Sequence, residues 1–253
     1  MQAGAIVGLL VAFGAICTGN LLEGGDLNSV LQPTAAYIVL GGTLGAILVQ
    51  FPVKALRQTL QHLSLMFSAV ETYDLSKVRS QLLVLSAKSR REGLVSIERE
   101  VSQLKDPFIK RSLELVIDGF QAKTLRSILM QEMAQKEEER EASAAVLDSA
   151  GGYAPTIGIL GAVLGLIHVM ENLSDPSKIG PGIAVAFVAT LYGVSFSNLF
   201  FLPLAGRLRN QARQQQLCLE LIMEGACSLA DGEGPRLLEQ RISAYIKEEP
   251  KKK

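Results

Sequence analysis

Residues 151–170 read GGYAPTIGILGAVLGLIHVM, residues 171–180 read ENLSDPSKIG, and residues 181–207 read PGIAVAFVATLYGVSFSNLFFLPLAGR. Between Gly152 and Met170 there is no Asp, Glu, Lys or Arg, and between Ile179 and Gly206 there is none either. A run of roughly 20 apolar residues matches the ~30 Å hydrocarbon thickness of a bilayer. The connector carries Glu171, Asp175 and Lys178 and is too short to be a domain. The stretch reads as a transmembrane helical hairpin. Pro155 stands near its start, Pro203 near its end, and Thr190 puts a hydroxyl in an apolar setting.

Working outward, two more charge-free blocks lie at the front, Met1 to Leu22 and Leu27 to Val53. No basic residue precedes the first of them, unlike the start of a secretory signal peptide, so a retained helix is expected. Four spans result, at 3–21, 33–53, 152–171 and 180–206. Lys54 and Arg57 follow the second span, and Arg207, Arg209 and Arg213 follow the fourth. The short connectors at Glu23–Ser29 and Glu171–Lys178 are mostly acidic by comparison. The excess of Lys and Arg on the cytoplasmic side then predicts that both termini and the large middle segment are cytoplasmic. The spacing Gly4/Gly8, Gly41/Gly45 and Gly158/Gly161/Gly165 predicts close helix packing, since small residues let backbones approach in lipid.

The expected fold is an all-α membrane protein: four transmembrane helices plus a cytoplasmic helical domain built from the loop between spans two and three and from the C-terminal tail. The segments are 1–53, with spans one and two; 54–150, a cytoplasmic helical domain; 151–206, with spans three and four; and 207–253, cytoplasmic C-terminal helices. In the middle block Leu56, Leu60, Leu63 and Phe67 recur at helical spacing. Asp74 can cap a second helix, with Val78, Leu82, Leu83 and Leu85 as its apolar side. A third helix is expected from Leu94, and Pro107 opens a fourth that Asp118-Gly119 ends. From Ala122 no Pro or Gly interrupts the chain until Gly151, so a long helix should feed straight into the third span. One helix is expected from Arg207 to Leu229, and a last amphipathic one carries Leu237, Leu238, Ile242 and Ile246.

Chemistry is sparse. Lys and Arg number 25 against 25 Asp and Glu, which gives no reason to expect a nucleic-acid partner, and the Lys251–Lys253 end reads as a solvated tail. Three cysteines without ligand spacing and two histidines argue against a metal or other cofactor. No phosphate-cradling loop, nucleotide fingerprint or supported nucleophile–base set is present, so no enzyme is expected. Ion pathways in membranes use intramembrane ionisable groups, and none of the four spans holds Asp, Glu, Lys or Arg. What they offer is hydroxyls and amides: Thr156, Thr190, Ser195, Ser197 and Asn198. Each can equally bond its own helix. Pro155 and Pro203 fall at similar depth near the cytoplasmic boundary; each either bends or simply ends a helix. The dense charges from Ser89 to Glu100 suit an ordinary solvated helix face as well as a partner surface.

The segments Ala154–Gly158, Asp175-Pro176, Ile179–Pro181, Ala189-Thr190-Leu191-Tyr192-Gly193 and Pro203 resemble the A-subunits of flagellar stators, the MotA/PomA/MotC group. Asp118-Gly119, Met223-Glu224-Gly225, Asp231-Gly232 and Pro235-Arg236 agree, so the resemblance covers nearly the whole chain. The group is related more distantly to the TolQ and ExbB energising proteins, which have three spans. The resemblance implies a homo-oligomer, a pentamer, around two single-span B-subunits of the MotB/PomB type whose Asp binds the ion, and a push on the rotor protein FliG. It implies that spans three and four line the ion path, with Thr190 beside the ion-binding carboxylate. It further implies that Pro155 and Pro203 couple ion flow to torque and that Arg90 and Glu98 face the rotor. Sodium-driven members carry a second Thr where this chain has Ala162; one fewer oxygen ligand implies a proton-driven stator. A TolQ/ExbB-like energiser of outer-membrane processes is the alternative, and a non-conducting membrane scaffold a third reading.

Overall fold

The computed structural model describes residues 2–67 and 75–245. Among them every regular element is a helix. Three helices are long and apolar enough to cross a membrane: Pro33–Gln50, Ala122–Glu171 and Pro176–Ala230. Gln2–Leu22 is a further apolar helix, 21 residues long. These are called the second, third, fourth and first apolar helices below, in chain order from Gln2–Leu22. The chain gathers into two compact units: Met1–Val70 with Arg140–Arg209, and Glu71–Glu139 with Asn210–Lys253.

In the first unit the third and fourth apolar helices touch backbone to backbone. A Cβ built on Gly158 would lie 2.8 Å from the Ala189 carbonyl oxygen, and one on Gly165 would lie 2.9 Å from the Ala186 nitrogen. From the other side, a Cβ on Gly193 would meet the Ala154 carbonyl at 2.5 Å. The seam therefore runs through Gly158, Gly161 and Gly165 on one helix and Gly182, Ala186, Ala189 and Gly193 on the other. Without a hydrophobic drive between helices in lipid, such close contact is what holds them. The second helix lies alongside, with Gly42 against Ile157 and Ile38 against Gly161. Gly4, Gly8, Gly41 and Gly45 have nothing within 4 Å of where a Cβ would be, so the packing expected of them is not made among the described residues.

Two wide turns interrupt the regular winding: Tyr37–Gly41 in the second helix and Phe196–Phe201 in the fourth are π-helical. The second helix stops at Gln50 because Phe51 turns extended (φ −118°) ahead of Pro52, as the residue before a proline is disposed to do. Helix Val53–Phe67 follows. Thr59 and Met66 are buried on it, and Leu56 and Leu63 of the leucine stripe pack half-buried against the core, while Leu60 is 67% exposed. Thr59 can be buried because its hydroxyl bonds the Ala55 carbonyl at 2.8 Å.

The second unit has its own core. Val78, Leu82, Ile97, Phe108, Leu113, Leu129, Leu221, Ile222, Leu238 and Ile242 pack in one cluster. Helix Leu75–Glu92 buries Val78, Leu82 and Leu85 as expected. The helix expected from Leu94 is instead a 3-10 turn, Leu94–Ile97, followed by the short helix Glu98–Ser102. Helix Pro107–Ile117 starts under Asp106, whose carboxylate accepts from the Phe108 and Ile109 amides at 2.8 and 2.9 Å, satisfying two of its free donors. It ends at Gly119, whose φ of +83° suits the left-handed cap that Asp118-Gly119 suggested. The long helix expected from Ala122 runs unbroken to Glu171, and the fourth apolar helix runs on past Arg207 to Ala230. Asp74, Ile246 and Lys251–Lys253 lie outside the described residues.

Candidate functional site

The third and fourth helices carry the residues singled out for an ion path. Thr190 is half-buried in the fourth helix, and its hydroxyl donates to the Ala186 carbonyl at 3.3 Å. A Cβ on Gly158 would stand 3.4 Å from the Thr190 Cα, so the seam brings Thr190 up against the third helix. Ala162, half-buried, sits next to Gly161, which faces Ala189 across the same seam. Thr156 is exposed, and its hydroxyl donates to the Tyr153 carbonyl at 2.8 Å. Asn198 donates to the Val194 carbonyl at 3.0 Å. The polar groups thus lean on their own helix, one of the two readings the sequence left open. His168 is exposed at the far end of the third helix, and no cluster of metal-binding side chains occurs among the described residues.

Neither proline ends its helix. Pro155 lies inside Ala122–Glu171, half-buried, with its Cα 3.1 Å from where a Cβ on Gly193 would be. Pro203 lies in the fourth helix directly after the wide turn, in which the Leu202 amide bonds the Ser197 carbonyl five residues back. A proline ring crowds the carbonyl four residues before it, and widening that turn makes room. Ser197 is buried, and its hydroxyl donates across the seam to the Gly151 carbonyl at 2.7 Å. In the sequence Ser197 stood only as one of several polar residues of the fourth helix.

Arg90 and Glu98 belong to the second unit, and both are exposed. The Arg90 Nη1 donates to the Gly232 carbonyl at 2.5 Å. That carbonyl belongs to the turn that closes Pro176–Ala230, where Glu233 N bonds Ser228 O at 3.0 Å and Gly232 N bonds Leu229 O at 3.0 Å. Gly232 supplies the positive φ, +68°, that this cap requires. The Glu233 carboxylate accepts from Ser228 Oγ at 2.6 Å and from Arg241 at 2.7 Å. Arg126 grips Glu224 with two bonds, 2.7 and 2.9 Å. Lys88 pairs with Glu100 and holds that carboxyl below its ordinary pKa. Glu98 makes no ion pair among the described residues. Arg90 is thus a seated cation and Glu98 a free anion.

Residues 100–220 match the MotA/TolQ/ExbB proton channel family, and residues 6–93 match the motility protein A N-terminal domain. The first is a family of channels, not of enzymes. The chain is similar to the C. jejuni MotAB structure, with a TM-score of 0.91, 25% identity, and 99% of this chain and 98% of that one covered. It is similar also to the flagellar MotAB stator complex from Bacillus subtilis, with a TM-score of 0.89, 30% identity, and 97% and 96% covered. Motility protein A of Bacillus subtilis is 30% identical over 97% of this chain and 91% of that protein. With a channel-family core, a motility N-terminal domain and this likeness along almost its full length, the chain belongs to the motility protein A family and is a flagellar stator subunit.

Proposed function

We propose that the chain works as the A-subunit of a stator in the bacterial inner membrane. A single-span B-subunit of the MotB type lends it an Asp, and inward proton flow becomes torque on the rotor protein FliG. The observation that carries this reading is a seam without charge. The third and fourth helices meet backbone to backbone, with Thr190 at the contact, yet neither holds an acid between Gly152 and Met170 or between Ile179 and Gly206. A proton path through such a wall needs a titrating group, so that group comes from a partner helix. That the two solved structures named above are MotAB structures supports the partner. The same reading makes the first apolar helix, Gln2–Leu22, a membrane span as well, with both termini cytoplasmic, and assembles five copies around two B-subunits. Residues 54–150 and 207–253 are then its cytoplasmic part, and 151–206 its ion path.

Ala162 favours the proton as coupling ion. A sodium ion gives up water and needs replacement oxygens, and Ala162 supplies none. Thr156 and Thr190 remain as path hydroxyls, and Pro155 and Pro203 as the coupling pair. An energiser of the TolQ/ExbB kind is not favoured, because the likeness to a motility protein runs along 97% of the chain. The rotor-facing role of Arg90 and Glu98 is tested by Arg90→Ala combined with Glu98→Lys. Surface charges steer and orient transient contacts, so torque on a tethered bead should fall several-fold while ion conductance stays. Unchanged torque, or torque and conductance lost together, would remove these two residues from the rotor surface.

A further inference from the structure

A proline has no N–H, so the carbonyl four residues before it loses its helical donor. For Pro155 that carbonyl belongs to Gly151. It is not left empty: the Ser197 hydroxyl of the neighbouring helix donates to it at 2.7 Å, and Ser197 is only 2% exposed. Ser197 lies in the wide turn Phe196–Phe201, and its own carbonyl accepts the Leu202 amide just ahead of Pro203. One residue therefore closes the gap opened by the first proline and shapes the turn that admits the second. Contact is tight here as well, since a Cβ on Gly151 would meet the Leu202 side chain at 2.6 Å.

We propose that Ser197 is a positioning residue that ties the two proline breaks together, so that the third helix cannot change its bend at Pro155 without moving the turn before Pro203. Gly151 and Ser197 are both buried, so the hydroxyl meets the freed carbonyl away from water and acts as a specific latch rather than one polar contact among many. The inference rests on the reading of Pro155 and Pro203 as coupling residues.

The test uses the full stator complex with its B-subunit and reads two quantities: bead torque in motile cells, and the thermal midpoint of the purified complex. Ser197→Ala should lower torque several-fold at a normal membrane level of complex, and Ser197→Thr, which keeps the hydroxyl, should restore most of it. The decisive arm is a double-mutant cycle. Pro155→Ala returns an N–H that can itself bond the Gly151 carbonyl, so Ser197→Ala should lower the midpoint in the Pro155 background and leave it unmoved in the Pro155→Ala background. Should Ser197→Ala alone fail to assemble, adding Pro155→Ala should rescue assembly. An equal midpoint drop in both backgrounds, no such rescue, or full torque in Ser197→Ala would overturn the proposal. Full torque in Pro155→Ala would overturn the coupling reading instead, and with it the functional half of this inference; the midpoint cycle would still decide the hydrogen bond.

Discussion

The Tyr192 hydroxyl serves two backbone groups in the connector between the first two apolar helices. It donates to the Val30 carbonyl at 2.7 Å and accepts from the Gln32 amide at 3.3 Å. A buried backbone group left without a partner costs about 1–3 kcal/mol. Tyr192→Phe should therefore lower the thermal midpoint of the detergent-solubilised chain. Tyr37→Phe should not, since Tyr37 is 80% exposed. An unchanged midpoint in Tyr192→Phe would mean that the connector is held by something else. Tyr192 was visible in the sequence as part of Ala189–Gly193, yet its partners stand 160 and 162 residues away, a distance no local pattern encodes. Arg90 is a similar case: its charge is plain, but not its seat on Gly232. Gly151 lies between these extremes. Counting back from Pro155 identifies the carbonyl that loses its donor, while the donor, Ser197, emerges only from the fold. What could be read directly was local chemistry, such as Asp118-Gly119, where Gly119 takes the positive φ of +83° that ends helix Pro107–Ile117.

At the level of elements, absence of charge made the apolar helices legible, because few other folds place such runs in one chain. Which of their small residues would meet was not legible. The first and second helices show the same four-residue glycine spacing as part of the third, but among the described residues only the third uses it. Composition describes one surface, and a seam needs two. The amphipathic helix after Pro52 was legible in part: Leu56 and Leu63 pack against the core as their spacing suggested, and Leu60 does not. Periodicity favoured Leu60, but a threonine that bonds its own helix can take the buried side at little cost, and Thr59 does. The seam makes a sharp prediction. A Cβ at Gly193 would face three backbone atoms, the Ala154 oxygen at 2.5 Å and the Gly158 and Pro155 Cα atoms at 3.1 Å. Backbone cannot rotate aside as a side chain can, so Gly193→Ala must push the two helices apart, and overpacking of this kind costs about 1–3 kcal/mol or more. Gly45→Ala meets nothing within 4 Å and gains about 1 kcal/mol of helix propensity. The midpoint of the solubilised chain should fall for Gly193→Ala and hold or rise for Gly45→Ala; the reverse order would contradict the seam.

For the molecule as a whole, the distribution of charge matters more than its sum. Positive and negative residues balance at 25 each, yet the stretches Gly152–Met170 and Ile179–Gly206 contain none of them. A bare proton or metal ion pays a large desolvation penalty in hydrocarbon, and hydroxyls that bond their own helix, as Thr156 and Thr190 do, offer little to offset it. The chain by itself should therefore insulate. Reconstituted alone into a planar bilayer, it should pass no ion current under a pH gradient. Reconstituted with the B-subunit that the proposed function requires, it should conduct in sodium-free buffer, and replacing the membrane Asp proposed for that subunit by Asn should abolish that current. A current from the chain alone would mean that its own side chains carry the ion. A current from the pair that appears only when sodium is added would instead mean that the oxygen missing at Ala162 is supplied by another group, and would make sodium the coupling ion.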